Sequence, residues 1–126
     1  MRVIDTSAWI EYFLGSETGR RVAPEMPERS RSVIPTIVQF ELAKWLARET
    51  DERAAAKAIA DTMKCILADL DPKIALRAAE LARAHKLAVA DAIIYATALV
   101  YDAELVTCDS HFKDLPGVIY FPKAPA

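Results

Sequence analysis

Residues 87–101, Leu-Ala-Val-Ala-Asp-Ala-Ile-Ile-Tyr-Ala-Thr-Ala-Leu-Val-Tyr, decide the fold. From Val89 to Tyr101 they read as a helix that is apolar nearly all round, and such a helix is stable only when buried deeply. A bilayer span needs about 20 apolar residues. This run is shorter and is interrupted by Asp91, so it belongs to a protein core. Downstream, Leu105-Val106-Thr107 and Val118-Ile119-Tyr120-Phe121 read as strands. Upstream, Asp71-Pro72 opens a helix with Ile74, Ala78, Leu81 and Ala82 on one face. Asp51 caps another, expected to run to about Asp69 because Ala55, Ala58, Ile59, Thr62, Met63 and Ile66 keep helical spacing. Pro35 is expected to start a helix reaching about Glu49, after a short strand at Val33-Ile34. Residues 16–31, with Gly19, Pro24 and Pro27, read as a short helix and a loop. Arg2-Val3-Ile4 is a buried strand, followed by a helix from about Ala8 to Leu14 with Ser7 as its cap. Short buried strands separated by helices predict an α/β sandwich with a mostly parallel central sheet.

The 126 residues suit one domain with its own core. Apolar residues at 53% and charged residues at 27% exclude a disordered chain, and 3 Gly with 7 Pro exclude a collagenous or linker-like one. Met1-Arg2-Val3-Ile4-Asp5 goes straight into a strand-like run with no basic-then-apolar leader, which suggests a cytoplasmic protein. Cys65 and Cys108 form no Cys-x-x-Cys pair and suit free thiols in a reducing compartment. The net charge of −2 does not advertise a nucleic-acid binder. That balance misleads if several acids share one site. Setting aside the four discussed next leaves 14 acids against 16 basic residues.

Asp5 directly follows the first strand, and Asp109 comes two residues after the strand ending at Thr107. Ligands of open parallel sheets bind beyond the carboxyl ends of the strands, where both side chains would lie. Glu41 sits on a helix beside the apolar Val38, Leu42 and Trp45, and Asp91 opens the most apolar helix. Each alone has an ordinary reading: a cap, a charge at a helix N-terminus, half of a salt bridge, a turn former. Together they point further, since Asp and Glu are almost never buried unpaired. No Lys or Arg stands three or four positions from Asp91 on its helix. Converging carboxylates need a cation between them. Oxygen ligands with no adjacent His or Cys favour Mg²⁺ or Mn²⁺ over zinc, and such sites commonly serve phosphate chemistry.

These residues, in this order, resemble the PIN-domain ribonucleases, and most closely the VapC-type toxins of bacterial and archaeal toxin–antitoxin pairs. Val3-Ile4-Asp5-Thr6-Ser7 is similar to the family's first motif, a strand followed by Asp-x-Ser/Thr/Asn. Phe40-Glu41-Leu42 is similar to its helical Glu motif, and Leu87 to Ile94 to the segment in which an Asp opens an apolar helix. Leu105-Val106-Thr107-Cys108-Asp109-Ser110-His111-Phe112 is similar to the last motif, Thr-x-Asp-x-x-Phe. The resemblance covers nearly the whole chain and implies a PIN-like α/β/α sandwich. It implies that Asp5, Asp91 and Asp109 hold one or two Mg²⁺ or Mn²⁺ ions and that Glu41 completes an acidic catalytic pocket. It further implies that Ser7, Thr6 and Thr107 support the carboxylates by hydrogen bonds. The activity implied is endoribonucleolytic cleavage of tRNA or ribosomal RNA by metal-activated water, leaving 5′-phosphate and 3′-hydroxyl ends. A VapB-type antitoxin would neutralise it by docking in a groove near Trp9, Tyr12 and Trp45. A homodimer, or a toxin–antitoxin hetero-oligomer, is also implied.

The other residues carry weaker readings. His111, beside Asp109 at a variable position of the motif, reads as incidental, and His85 as a cation suited to a helix C-terminus. Arg20, Arg21, Arg29 and Arg31 form a locally basic segment able to grip phosphates or simply to be solvated, as do Lys44, Arg48, Lys86 and Lys113. Ile10, Phe13 and Leu14 are expected to pack inward, leaving Trp9 and Tyr12 turned partly outward. Three rival functions remain: an RNA-processing nuclease, a non-catalytic PIN module, and a phosphatase with Asp5 as nucleophile. The last usually needs a second Asp two residues on, where this chain has Ser7.

Overall fold

The computed structural model describes residues 1–125. Its sheet has five strands: β1 (Arg2–Ile4), β2 (Ser32–Pro35), β3 (Ile66–Ala68), β4 (Glu104–Thr107) and β5 (Val118–Tyr120). Every pairing is parallel, in the order β3-β2-β1-β4-β5. The helices are α1 (Thr6–Leu14), α2 (Glu17–Val22), α3 (Thr36–Glu49), α4 (Glu52–Thr62), α5 (Pro72–His85) and α6 (Val89–Val100), with short 3₁₀ turns at Ala23–Glu25, Arg29–Arg31 and Ser110–Phe112. The result is an α/β/α sandwich.

The apolar helix behaves as its composition requires. Ala92 to Ala98 are all buried, and α6 packs on α5, α3 and the strands β1, β2 and β4. The strands are equally dry: Val3, Ile4, Ile34, Leu105 and Val106 have no solvent exposure. Removing a side chain such as Ile94 from this layer would cost about 2–5 kcal/mol.

Four local expectations are corrected. The helix capped by Asp51 ends at Thr62, where the Thr62 hydroxyl donates to the Ile59 carbonyl (2.7 Å). Backbone bonds from Lys64 to Asp61 and from Cys65 to Thr62 then tighten the chain out of the helix. Ile66 lies instead in β3, a strand paired with β2 that the apolar spacing does not reveal. Pro35 closes β2 and occupies the N-cap position of α3, which begins at Thr36. Ser7 lies inside α1, whose N-cap position is taken by Asp5, and its hydroxyl is used elsewhere. On α1, Trp9 is buried and Leu14 half exposed, against expectation, while Ile10 and Phe13 pack on the core and Tyr12 stays partly exposed as expected.

The turn from α1 into α2 depends on Gly19. A β-carbon there would stand 2.0 Å from the Glu11 carbonyl oxygen, so only glycine lets the two helices approach this closely.

Candidate metal centre at the carboxyl ends of the strands

In the order β3-β2-β1-β4-β5 the chain's winding reverses between β1 and β4, and a crevice opens there at the carboxyl ends. Asp5 leaves β1 and Asp109 follows β4, so both carboxylates come to the rim of that crevice. The register pairs Ile4 with Val106, which sets Asp5 beside Thr107.

Asp5 is the buried member, 4% exposed. Its Oδ2 accepts hydrogen bonds from the Ser7 and Thr107 hydroxyls, both at 2.7 Å. Those hydroxyls in turn accept the backbone N–H groups of Cys108 and Asp109, both at 2.9 Å. Each hydroxyl has one proton, and both protons go to the same carboxylate oxygen. The 3.3 Å contact between the two hydroxyls is therefore close packing. Oδ1 of Asp5 has no hydrogen-bond partner among the described residues. Burial pushes the Asp5 pKa up to about 6; the two hydroxyls oppose this, and the charges of Asp109 and Asp91 add to it.

Asp91 lies in the first turn of α6, where the helix dipole favours an anion. Burial raises its pKa, as does the charge of Asp109, while contact with His111 lowers it. His111 Nδ1 lies 3.2 Å from Asp91 Oδ2 and 3.3 Å from Asp109 Oδ1. The same Asp109 oxygen accepts the His111 backbone N–H at 2.9 Å and so starts the 3₁₀ turn at Ser110. Glu41 stands to one side on α3, where its Oε1 accepts the Thr6 hydroxyl at 2.6 Å. No Lys or Arg pairs with any of the four acids among the described residues.

Three of the four acids thus share one electrostatic neighbourhood, and the fourth is tied to it through the residue following Asp5. Three clefts border the group. One, with Asp109 and Ser7, contains Lys123; another, with Asp91 and His111, contains Lys86; the third, with Glu41 and Thr6, contains Lys44 and Arg48. Nothing near Lys123 in the sequence suggests a site, and only the folding of the chain after β5 brings it to the cleft. His111, which the sequence presents as incidental, places a ring nitrogen against two of the carboxylates. Within the basic segment 20–31, three arginines are engaged by the fold itself. Arg29 is held by Asp61, Arg20 donates to the Gly15 carbonyl, and Arg21 donates to that of Pro122. Burial raises the pKa of both cysteines to about 11, which leaves them as thiols without nucleophilic character.

The donor set fits a divalent cation. Two carboxylates and an imidazole offer one atom each, all within 4.8 Å of one another, and Asp5 adds a third negative charge that the protein leaves unbalanced. A carboxylate crevice at the switch point of an all-parallel α/β/α sheet defines the class. The family model described as PIN domain matches residues 2–118, and the chain belongs to that family.

Solved structures bear out the fold. A chain from a toxin–antitoxin complex of Klebsiella pneumoniae is 26% identical, with a TM-score of 0.80 over 94% of this chain and 96% of that one. Mycobacterium tuberculosis VapC20, described as a sarcin–ricin loop cleaving toxin, is 20% identical, with a TM-score of 0.75 over 97% of this chain and all of that one (100%). A chain of VapBC2 from Rickettsia felis, bound to promoter DNA, is 18% identical with a TM-score of 0.73, covering 96% of this chain and 97% of that one. No curated protein sequence matches the chain significantly.

Proposed function

We propose that this chain is a divalent-metal-dependent endoribonuclease and the toxin of a toxin–antitoxin pair. The observation that carries the reading is the set of carboxylates from β1, α6 and the segment after β4, gathered without a balancing Lys or Arg. Asp5, Asp91 and Asp109 hold Mg²⁺ or Mn²⁺, and Glu41 completes the catalytic acid set. When bound, the ion supplies an acidified water and positive charge for the phosphorane-like transition state. The protein's own groups do the rest. Ser7 and Thr107 fix Asp5 in one rotamer, and Thr107 also sets the backbone at Asp109. Thr6 orients Glu41. Lys44, Arg48, Lys86 and Lys123 surround the acids and suit a phosphate backbone passing over the crevice.

Family membership and the likeness to toxin–antitoxin structures support an RNA target, with tRNA or ribosomal RNA as the first to test. They support equally a VapB-type antitoxin as partner. Trp9 is too deeply buried to line its groove; Trp45 borders the cleft beside Glu41 and stays available. A cytoplasmic homodimer is part of the same reading.

The test is cleavage by chelator-treated protein, freed of any partner, of a panel of structured RNAs with and without Mg²⁺ or Mn²⁺. Metal-dependent cuts with 5′-phosphate ends, lost in Asp91→Asn, are the expected result. Cuts that persist in Asp91→Asn, or an absence of any cutting alongside an absence of metal binding, would overturn the proposal.

A further inference from the structure

A ligand shell around a six-coordinate ion of this size places neighbouring donor atoms roughly 3 Å apart, since each lies about 2.1 Å from the centre. His111 Nδ1 stands 3.2 Å from Asp91 Oδ2 and 3.3 Å from Asp109 Oδ1, close to the edge of such a shell. The ring does not reach this place by chance of rotation alone. Its backbone N–H is tied to Asp109, and the next residue, Phe112, is fully buried and anchors the turn. The imidazole itself is 69% exposed, so the ring proton can sit on Nδ1, donated to the acids, in the metal-free chain and on Nε2, in solvent, when the Nδ1 lone pair is given to an ion.

We propose that His111 is a nitrogen ligand of the metal centre, through Nδ1, and that it shifts the ion preference from Mg²⁺ towards first-row transition ions, with Mn²⁺ the representative probe. The proposal rests on the metal-centre reading above. Mg²⁺ takes oxygen donors and gains little from imidazole, whereas first-row transition ions accept it, Mn²⁺ least strongly among them. The competing role for the same geometry is that of a counter-cation, with a protonated ring standing where the ion would go. The two differ in sign. Deleting a ligand weakens Mn²⁺ binding, while deleting a competing cation strengthens binding of every divalent ion.

The experiment uses the full chain, chelator-treated and without RNA. Mn²⁺ binding is followed through the electron paramagnetic resonance signal of the free ion, Mg²⁺ binding by competition, and coordination by ¹⁴N modulation in pulsed spectra. The chain has 2 histidines, so His85→Ala is the matched control. The expected result is a directly coordinated nitrogen in the native protein and in His85→Ala. In His111→Ala that signal is lost, Mn²⁺ affinity falls by about tenfold or more, and Mg²⁺ affinity changes by less than about threefold. Bound Mn²⁺ without a coordinated nitrogen in the native protein would overturn the proposal, as would unchanged or tighter Mn²⁺ binding by His111→Ala. Failure of the native chain to bind either ion, or unimpaired binding by Asp91→Asn, would overturn the metal centre itself and this inference with it.

Discussion

The two ends of the sheet treat charge in opposite ways. At the amino ends of the strands, Arg2 lies between Glu25 (2.9 Å) and Glu104 (3.3 Å), and Arg29 binds both oxygens of Asp61, at 2.9 and 3.0 Å. The Arg29 guanidinium also donates to the Tyr12 hydroxyl and lies over the rings of Trp9 and Tyr12, 5.1 and 5.4 Å from their centroids. Its pKa is raised, chiefly by the bond to Asp61. Charge is matched there and planar groups are stacked. At the carboxyl ends burial raises the proton affinity of Asp5 and Asp91, the charge of Asp109 adds to both, and among the described residues no Lys or Arg forms an ion pair with any of the three. Partly buried charge that serves the fold is paired within the fold; charge left unmatched implies that something outside the chain completes it.

That contrast can be broken or sharpened by substitution. The largest effect is expected at Asp91. Asp91→Asn keeps the shape but not the charge, so RNA cleavage should fall by at least about a thousandfold with the thermal midpoint unchanged or raised. A variant that loses activity only because it unfolds would break the contrast, and circular dichroism would show it.

Next comes the pH response of the metal-free protein. The folded state keeps a proton on Asp5 up to about pH 6, whereas the unfolded chain releases it near the ordinary aspartate value of 3.8. Stability from this group is therefore full below that lower value and is lost as pH rises through 6, by on the order of 2–3 kcal/mol. Asp91, also raised, adds in the same direction. Urea denaturation in chelator should show a decline between pH 4 and 7 that Asp5→Asn flattens and added Mn²⁺ offsets. The asparagine can still accept both hydroxyl bonds through its one carbonyl oxygen.

At the opposite end, Arg29→Ala leaves Asp61 partly buried without its partner and uncovers two aromatic rings. It should cost about 2–3 kcal/mol in urea denaturation and leave cleavage per folded molecule unaltered. Loss of metal affinity in this variant would show that the two ends are coupled. The smallest effect belongs to Tyr12→Phe, which removes one acceptor from Arg29 but keeps the ring, at about 0.5–1.5 kcal/mol.

Much of this was legible beforehand where the signal is local. Asp5 after a strand, Asp91 at the head of an apolar helix and Asp109 just past Thr107 are each set by their immediate neighbours, and the structure brings these three together. The elements that escaped lack such a signal. β3 follows α4 with neither Gly nor Pro between them, and Ile66 continues the helical spacing of the residues before it. Trp9 faces inward with Arg29, from the turn before β2, over its ring, and no pattern within α1 anticipates that.

The sequence by itself determined the periodicities, the apolar helix that demands a sheet, and the order in which the acids occur. Those are properties of residues a few positions apart. The tertiary structure decided which groups complete one another: the Thr107 hydroxyl on Asp5 across 102 positions, the His111 ring between Asp91 and Asp109, and Arg29 on Asp61 rather than on a phosphate. The reason is physical. Pairings between distant segments are fixed by strand register and by how helices settle on the sheet. Neither is encoded at any single position, and a shift of one residue in the pairing of β1 with β4 would separate Asp5 from the hydroxyl that holds it.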